Sequence, residues 1–158
     1  MSQPQEECTS SAELAMPANG LLHQDIYRLV LSFTLWTATI LWAATILWLS
    51  SLTSTELPRA AHLFSDKFCH FIAFAVGGWL SASAMRTTWP SLHFTIPIVV
   101  AILLGSAFGA FDELFQLLTP GRSGADIFDW VADTLGIVTG SSLTLLTHGF
   151  LQRLIPRR

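Results

Sequence analysis

The sequence predicts an all-α, polytopic membrane protein built as a bundle of four transmembrane helices. Composition is the first reason: of 158 residues, 51% are hydrophobic and only 12% charged, at a mean hydropathy of +0.52. Soluble domains carry about a quarter charged residues. The second reason is four continuous apolar runs, near 29–52, 67–85, 95–118 and 127–147. Each is long enough to cross hydrocarbon at about 1.5 Å of rise per helical residue. The third is that these runs lack the period-two alternation that a membrane-spanning barrel requires.

Residues 1–27 are rich in Ser, Glu, Gln and Pro and read as a flexible cytoplasmic tail. Residues 28–150 form the four-helix transmembrane domain, and 151–158 a short basic cytoplasmic tail. The first run has no charge between Arg28 and Glu56. It lies too deep in the chain for a secretory signal, so it reads as a retained helix. The loop 50–65 carries Ser51, Ser54, Pro58 and Arg59, with 57–64 expected as a short helix at the interface. Trp89-Pro90 marks the next turn, and Pro97 falls in the first turn of the third helix, where early N–H groups lack partners anyway. Thr119-Pro120-Gly121 ends that helix. The short connection that follows makes the third and fourth helices antiparallel neighbours.

The Lys and Arg distribution orients the bundle with both termini cytoplasmic. Arg28, Arg86, Arg153, Arg157 and Arg158 are then inside, and Arg59, Lys67 and Arg122 outside. Cys8 falls in the cytoplasmic tail and Cys69 at the outer end of the second helix, so no disulfide is expected.

Three carboxylate-rich motifs sit at that outer end: Asp66-Lys67-x-x-His70, Asp112-Glu113-x-x-Gln116 and Asp126-x-x-Asp129-x-x-x-Asp133. Ionisable groups near hydrocarbon cost roughly 2.5–3.5 kcal/mol each at a helix centre, so a group of them marks a site by default. Asp126, Asp129, Asp133, Gly136 and Gly140 follow alternating steps of three and four along one helical face. Gly105, Gly109, Asp112 and Gln116 form a matching stripe, and Asp66, His70 and Phe74 lead to Gly77, Gly78 and Ser81. Small residues at this spacing let helices approach closely, within one chain or between copies, so homo-oligomerisation through them is a further expectation. The first helix offers no ionisable residue along its apolar run and is expected at the periphery.

Asp66, Asp112, Glu113, Asp126, Asp129 and Asp133 share this end with two firm cations, Lys67 and Arg122. Protonation of some acids, a bound divalent cation or simple hydration would each resolve the imbalance. Asp66 and Asp126 have a capping explanation at helix starts. Asp129 and Asp133 lie further inside, where capping no longer applies. Asp112 and Glu113 oppose the dipole of their helix, and a salt bridge to Arg122 or Lys67 is the structural remedy. Gln116 either ties helices together or touches a ligand. His70 stands one turn from Asp66, a spacing that suits proton transfer. Arg122, in a Gly-Arg-Ser-Gly turn, either clamps an anion with its guanidinium fork or pins the hairpin to Asp112 or Glu113.

These motifs resemble the VanZ-like family, small membrane proteins named after a teicoplanin-resistance accessory protein. The resemblance runs through Asp66-Lys67-x-x-His70-Phe71, Asp112-Glu113-x-x-Gln116, Gly121-Arg122 and Asp129-x-x-x-Asp133-x-x-Gly136-x-x-x-Gly140. It implies the bacterial cytoplasmic membrane, a role in the cell envelope and a link to glycopeptide sensitivity. The family pattern often carries Asn where this chain has Asp133, which makes Asp133 a polar ligand and moves Asp129 up as the candidate acid or base.

Three functions follow as expectations. The first is binding of an anionic membrane lipid or lipid-linked envelope precursor by Asp66, Lys67, His70, Asp112, Glu113, Gln116, Arg122, Asp129 and Asp133. The alternative is an enzyme acting on lipid head groups, with Asp129 or Glu113 as base and His70 as acid. Proton or ion movement is the third. No cofactor motif is evident, a divalent cation being the one candidate, and the glycine stripes carry no nucleotide or nucleic-acid reading because no strand precedes them.

Overall fold

The computed structural model describes residues 18–57, 64–122 and 124–153. Four helices account for most of them: α1 Ala18–Ser50, α2 Asp66–Thr88, α3 Thr95–Gln116 and α4 Ile127–Arg153. Each contains a stretch long and apolar enough to cross a membrane. The expected helical bundle is therefore present, and no strand occurs among the described residues. Most of the tail with Cys8, the core of the expected interfacial helix at 57–64 and the last five residues lie outside the described residues.

Helix α1 begins at Ala18, well before the expected start at 29 and inside the segment read as a tail. Hydropathy marks where a helix meets lipid, and the backbone continues helical through the polar turns that precede Arg28. Only Leu22–Ser50 forms the candidate span. At the far end α2 runs three residues beyond its expected limit, to Thr88, where the Trp89 amide closes on the Met85 carbonyl ahead of Pro90.

Helices α2 and α4 pack side by side in parallel, as matched pairs show: His70 with Asp133, Ser83 with Thr144, Arg86 with His148. Glycine makes this possible. A Cβ on Gly136 or Gly140 would strike the backbone carbonyls of Phe71 and Ala75, and one on Gly78 would lie 2.5 Å from the Ile137 carbonyl oxygen. The glycine stripes thus face one another as expected. Helix α3 runs antiparallel to α4, with Ser106 Oγ 2.9 Å from Thr134 Oγ1 and Gly105 against Ile137.

Helix α1 is less peripheral than expected. Leu29, Phe33, Ile40, Leu41 and Trp48 are exposed, in keeping with a lipid-facing side. Trp42, however, lies against Gly77, donates its indole N–H to the Ala73 carbonyl at 2.8 Å and meets Phe74 edge-on at 5.5 Å. Glycine at 77 supplies the space that the indole fills, and Phe74, Ile46 and Ile137 close the apolar core behind it.

Candidate functional site

The polar site lies at one end of the bundle, where α1 and α3 finish and α2 and α4 begin. Asp66 is the first residue of α2, after Ser65, whose side chain makes no capping bond. Asp126 caps α4: its Oδ1 accepts the Phe128 amide at 2.8 Å, and its carbonyl accepts the amides of Asp129 and Trp130. The Phe128 amide, with Lys67 beside it, holds the Asp126 carboxyl below the ordinary carboxylate range. The structural explanation therefore suffices for Asp126.

Around this frame the buried acids separate into three groups. Asp112 is 1% exposed, and both its oxygens are satisfied. Ser50 Oγ donates to Oδ1 at 2.6 Å, and Gln116 Nε2 to Oδ2 at 3.0 Å. A buried acceptor stripped of its donor loses about 1–3 kcal/mol, so Ser50 contributes as much here as a residue of the motifs themselves. It closes α1 and had no sequence signal, since it stands among ordinary loop-type Ser and Thr.

Asp129, also buried, takes the Lys67 ammonium at 2.8 Å, and the same ammonium reaches Asp126 at 3.2 Å. Lys67 thereby neutralises the start of α4. Asp133, fully buried, faces His70, with Oδ1 2.9 Å from Nδ1. Glu113 Oε1 lies 4.0 Å from the same nitrogen, and Asp66 Oδ1 lies 3.9 Å from Nε2 on the other side of the ring. The spacing that put His70 beside Asp66 is thus real but loose, and the close partner is Asp133. Glu113 anchors the hairpin through its backbone carbonyl, which accepts the Ala125 amide, and through Oε2, which accepts the Asp126 amide at 2.9 Å.

Arg122 does not form the expected salt bridge to Asp112 or Glu113. Its Nη2 donates to the Gln116 amide oxygen at 2.9 Å, and among the described residues no carboxylate lies within ion-pair distance. Two local features fix the turn that carries it. Gly121 has φ +77°, and Gly124 fits so tightly against Leu117 and the Glu113 carbonyl that a Cβ would lie within 2.8 Å of them. Ser54 and Thr119 then tie the hairpin to the end of α1 through the Gly121 and Ser50 carbonyls.

A cavity of about 100 Å³ opens here between α1, α2 and α3, with Ser50, Asp66, His70, Asp112, Gln116 and Arg122 at its polar end and Ile46, Ala73 and Phe74 at its apolar end. At about 30 Å³ per water it holds a few waters or one compact polar group. A larger groove of about 330 Å³ between α3 and α4 has only Glu113 and Asp126 as charged lining and no cation. Lys67 lines neither. Of the nine expected site residues, the structure therefore gathers Asp66, His70, Asp112, Gln116 and Arg122 around one cavity. Glu113, Asp129, Asp133 and Lys67 form the wall behind it.

Comparison with curated proteins and with solved structures yields no match. A family model, VanZ/LLP1, matches residues 11–148, which takes in the first three helices, all but the last turn or so of α4 and every residue of the site. The order and spacing of the acidic motifs, now seen converging at one end of a four-helix membrane bundle, agree with that match: the chain belongs to the VanZ/LLP1 family.

Proposed function

We propose that the cavity binds the anionic head group of a membrane lipid or lipid-linked envelope precursor, with Arg122 as the anion clamp and His70 as the second polar contact. Arg122 carries this reading. In a site crowded with carboxylates its guanidinium is engaged, among the described residues, by a neutral amide alone and lines a cavity, which leaves charge and donors for a ligand. The Asp112 carboxylate in the same wall is already satisfied by Ser50 and Gln116, so it presents little unmet demand for a cation. The volume suits a head group, and the apolar end formed by Ile46, Ala73 and Phe74 suits the start of an acyl or isoprenoid chain.

The proposal includes orientation: the site faces away from the cytoplasm, in the bacterial cytoplasmic membrane, as the Lys and Arg distribution favours. A C-terminal green fluorescent protein fusion is then expected to fluoresce and an alkaline phosphatase fusion at the same place to be inactive. The reverse pattern would invert the topology.

For the ligand, native mass spectrometry of protein extracted from its own membrane is expected to show a lipid adduct whose occupancy falls about tenfold or more in Arg122→Ala, the loss of one charge-assisted contact. Unchanged occupancy in a folded variant would sink the reading. The identity of the adduct also decides whether a link to glycopeptide sensitivity follows, because that link needs a cell-wall precursor. The catalytic alternative has less support, since Lys67 occupies Asp129 and Glu113 lies outside the cavity. Ion movement has less still, because α2 and α4 approach backbone to backbone at Gly78, Gly136 and Gly140, which leaves a route between protomers as the form it would take.

A further inference from the structure

We propose that His70, Glu113 and Asp133 hold a divalent metal ion of the Zn²⁺ or Mn²⁺ class between α2, α3 and α4. The observation behind it is a pair of orphaned oxygens. Asp133 Oδ2 and Glu113 Oε1 are buried without a hydrogen-bond partner, on side chains 0% and 5% exposed. The buried acids beside them are provided for, Asp112 by Ser50 and Gln116 and Asp129 by Lys67. Among the described residues the other such atom, Arg86 Nε, belongs to the opposite end of the bundle. Two carboxylates turned toward one imidazole, with no Lys or Arg within ion-pair distance of either among the described residues, match the charge of a divalent ion once the imidazole gives up its Nδ1 proton.

Geometry agrees. His70 Nδ1 and one oxygen each from Glu113 and Asp133 lie within 4.8 Å of one another, about the span that ligands subtend across one ion at bonds of 2.0–2.4 Å. An imidazole with two carboxylates suits borderline ions better than Mg²⁺ or Ca²⁺, which prefer oxygen alone. Outer partners are in place as well. Glu113 Oε2 is fixed by the Asp126 amide, and His70 Nε2 faces Asp66 at 3.9 Å, from where a small side-chain shift brings the carboxylate into hydrogen-bond range of the imidazole. An entering ion replaces the proton shared by Nδ1 and Asp133, and the imidazole keeps its proton on Nε2, toward Asp66. A second set, Asp66, His70 and Asp129, has similar spacing, but Asp66 is exposed and Asp129 is bound to Lys67.

The inference goes beyond the anion reading, whose clamp is Arg122; the two share His70, and Glu113, which does not line the cavity, tells them apart. The test uses tag-free protein, purified without chelator and analysed for metals by mass spectrometry. About one equivalent of Zn or Mn per chain is expected in wild type and in His93→Ala, with at least a tenfold lower content in His70→Ala and Glu113→Gln. Stripped wild type should also rise in Tm on titration with ZnCl2 or MnCl2. That arm does not depend on variants that fail to fold. Metal-free wild type with no Tm response to either salt overturns the proposal, as does full metal content in folded His70→Ala and Glu113→Gln.

Discussion

Gly140→Val is expected to lose the folded bundle, with a cost of at least about 3 kcal/mol, the upper range for overpacking, because the new side chain meets backbone that cannot rotate away. A single methyl at this position already falls on the Ala75 carbonyl oxygen and within 2.7 Å of its carbon. Relief requires α2 and α4 to separate, and the two helices are in contact from His70–Asp133 at one end to Arg86–His148 at the other. Separation therefore also opens the pair at His70 and lets lipid or water reach Asp133. Gly149, on the same helix, has no atom near its added Cβ, and Gly149→Ala is expected to leave Tm unchanged or raised. Size-exclusion profiles and thermal melts in one detergent compare the two directly. A Gly140→Val protein that melts within a few degrees of wild type would mean that the α2–α4 contact is looser than described.

The same contact shows what the sequence makes legible. Gly136 and Gly140 continue the steps of Asp129 and Asp133, so a helical face running from acid to glycine can be read from spacing alone, as can the antiparallel α3–α4 hairpin from its short turn. Membrane spans are legible because insertion depends on local composition summed along one helix. Partner choice is not local. Nothing in the spacing distinguishes Asp66 from Asp133 as the close partner of His70, since one lies a turn away on the same helix and the other on a parallel neighbour. Ser50 and Trp42 were missed for the same reason. Each acts across a helix boundary, on Asp112 and on the space beside Gly77, and neither residue type is unusual in its own segment. Arg122 was legible as a candidate site residue, but its bond to Gln116 in place of a carboxylate needed the folded turn.

Removing the His70 side chain is expected to cost about 3–5 kcal/mol, the range for breaking a buried pair so that one partner is left alone. In His70→Ala, Asp133 would have neither oxygen partnered, at a position with no exposure. Asp133→Asn keeps the size and one acceptor, and is expected to cost less than about 1.5 kcal/mol, because a neutral amide needs no counter-charge. The informative quantity is the coupling in a cycle of His70→Ala, Asp133→Ala and the double variant, measured with chelator present so that no ion contributes. Hydrogen bonds between transmembrane helices average about 0.6 kcal/mol by this method, with a maximum near 1.7. A coupling of about 2 kcal/mol or more is expected if His70 carries the proton, because at 2.9 Å, shielded from solvent, an imidazolium and a carboxylate attract more strongly than neutral partners. A value near 0.6 would mean that the pair is neutral, with the proton on Asp133 and not on His70, and the net charge of the buried wall behind Arg122 would be unchanged.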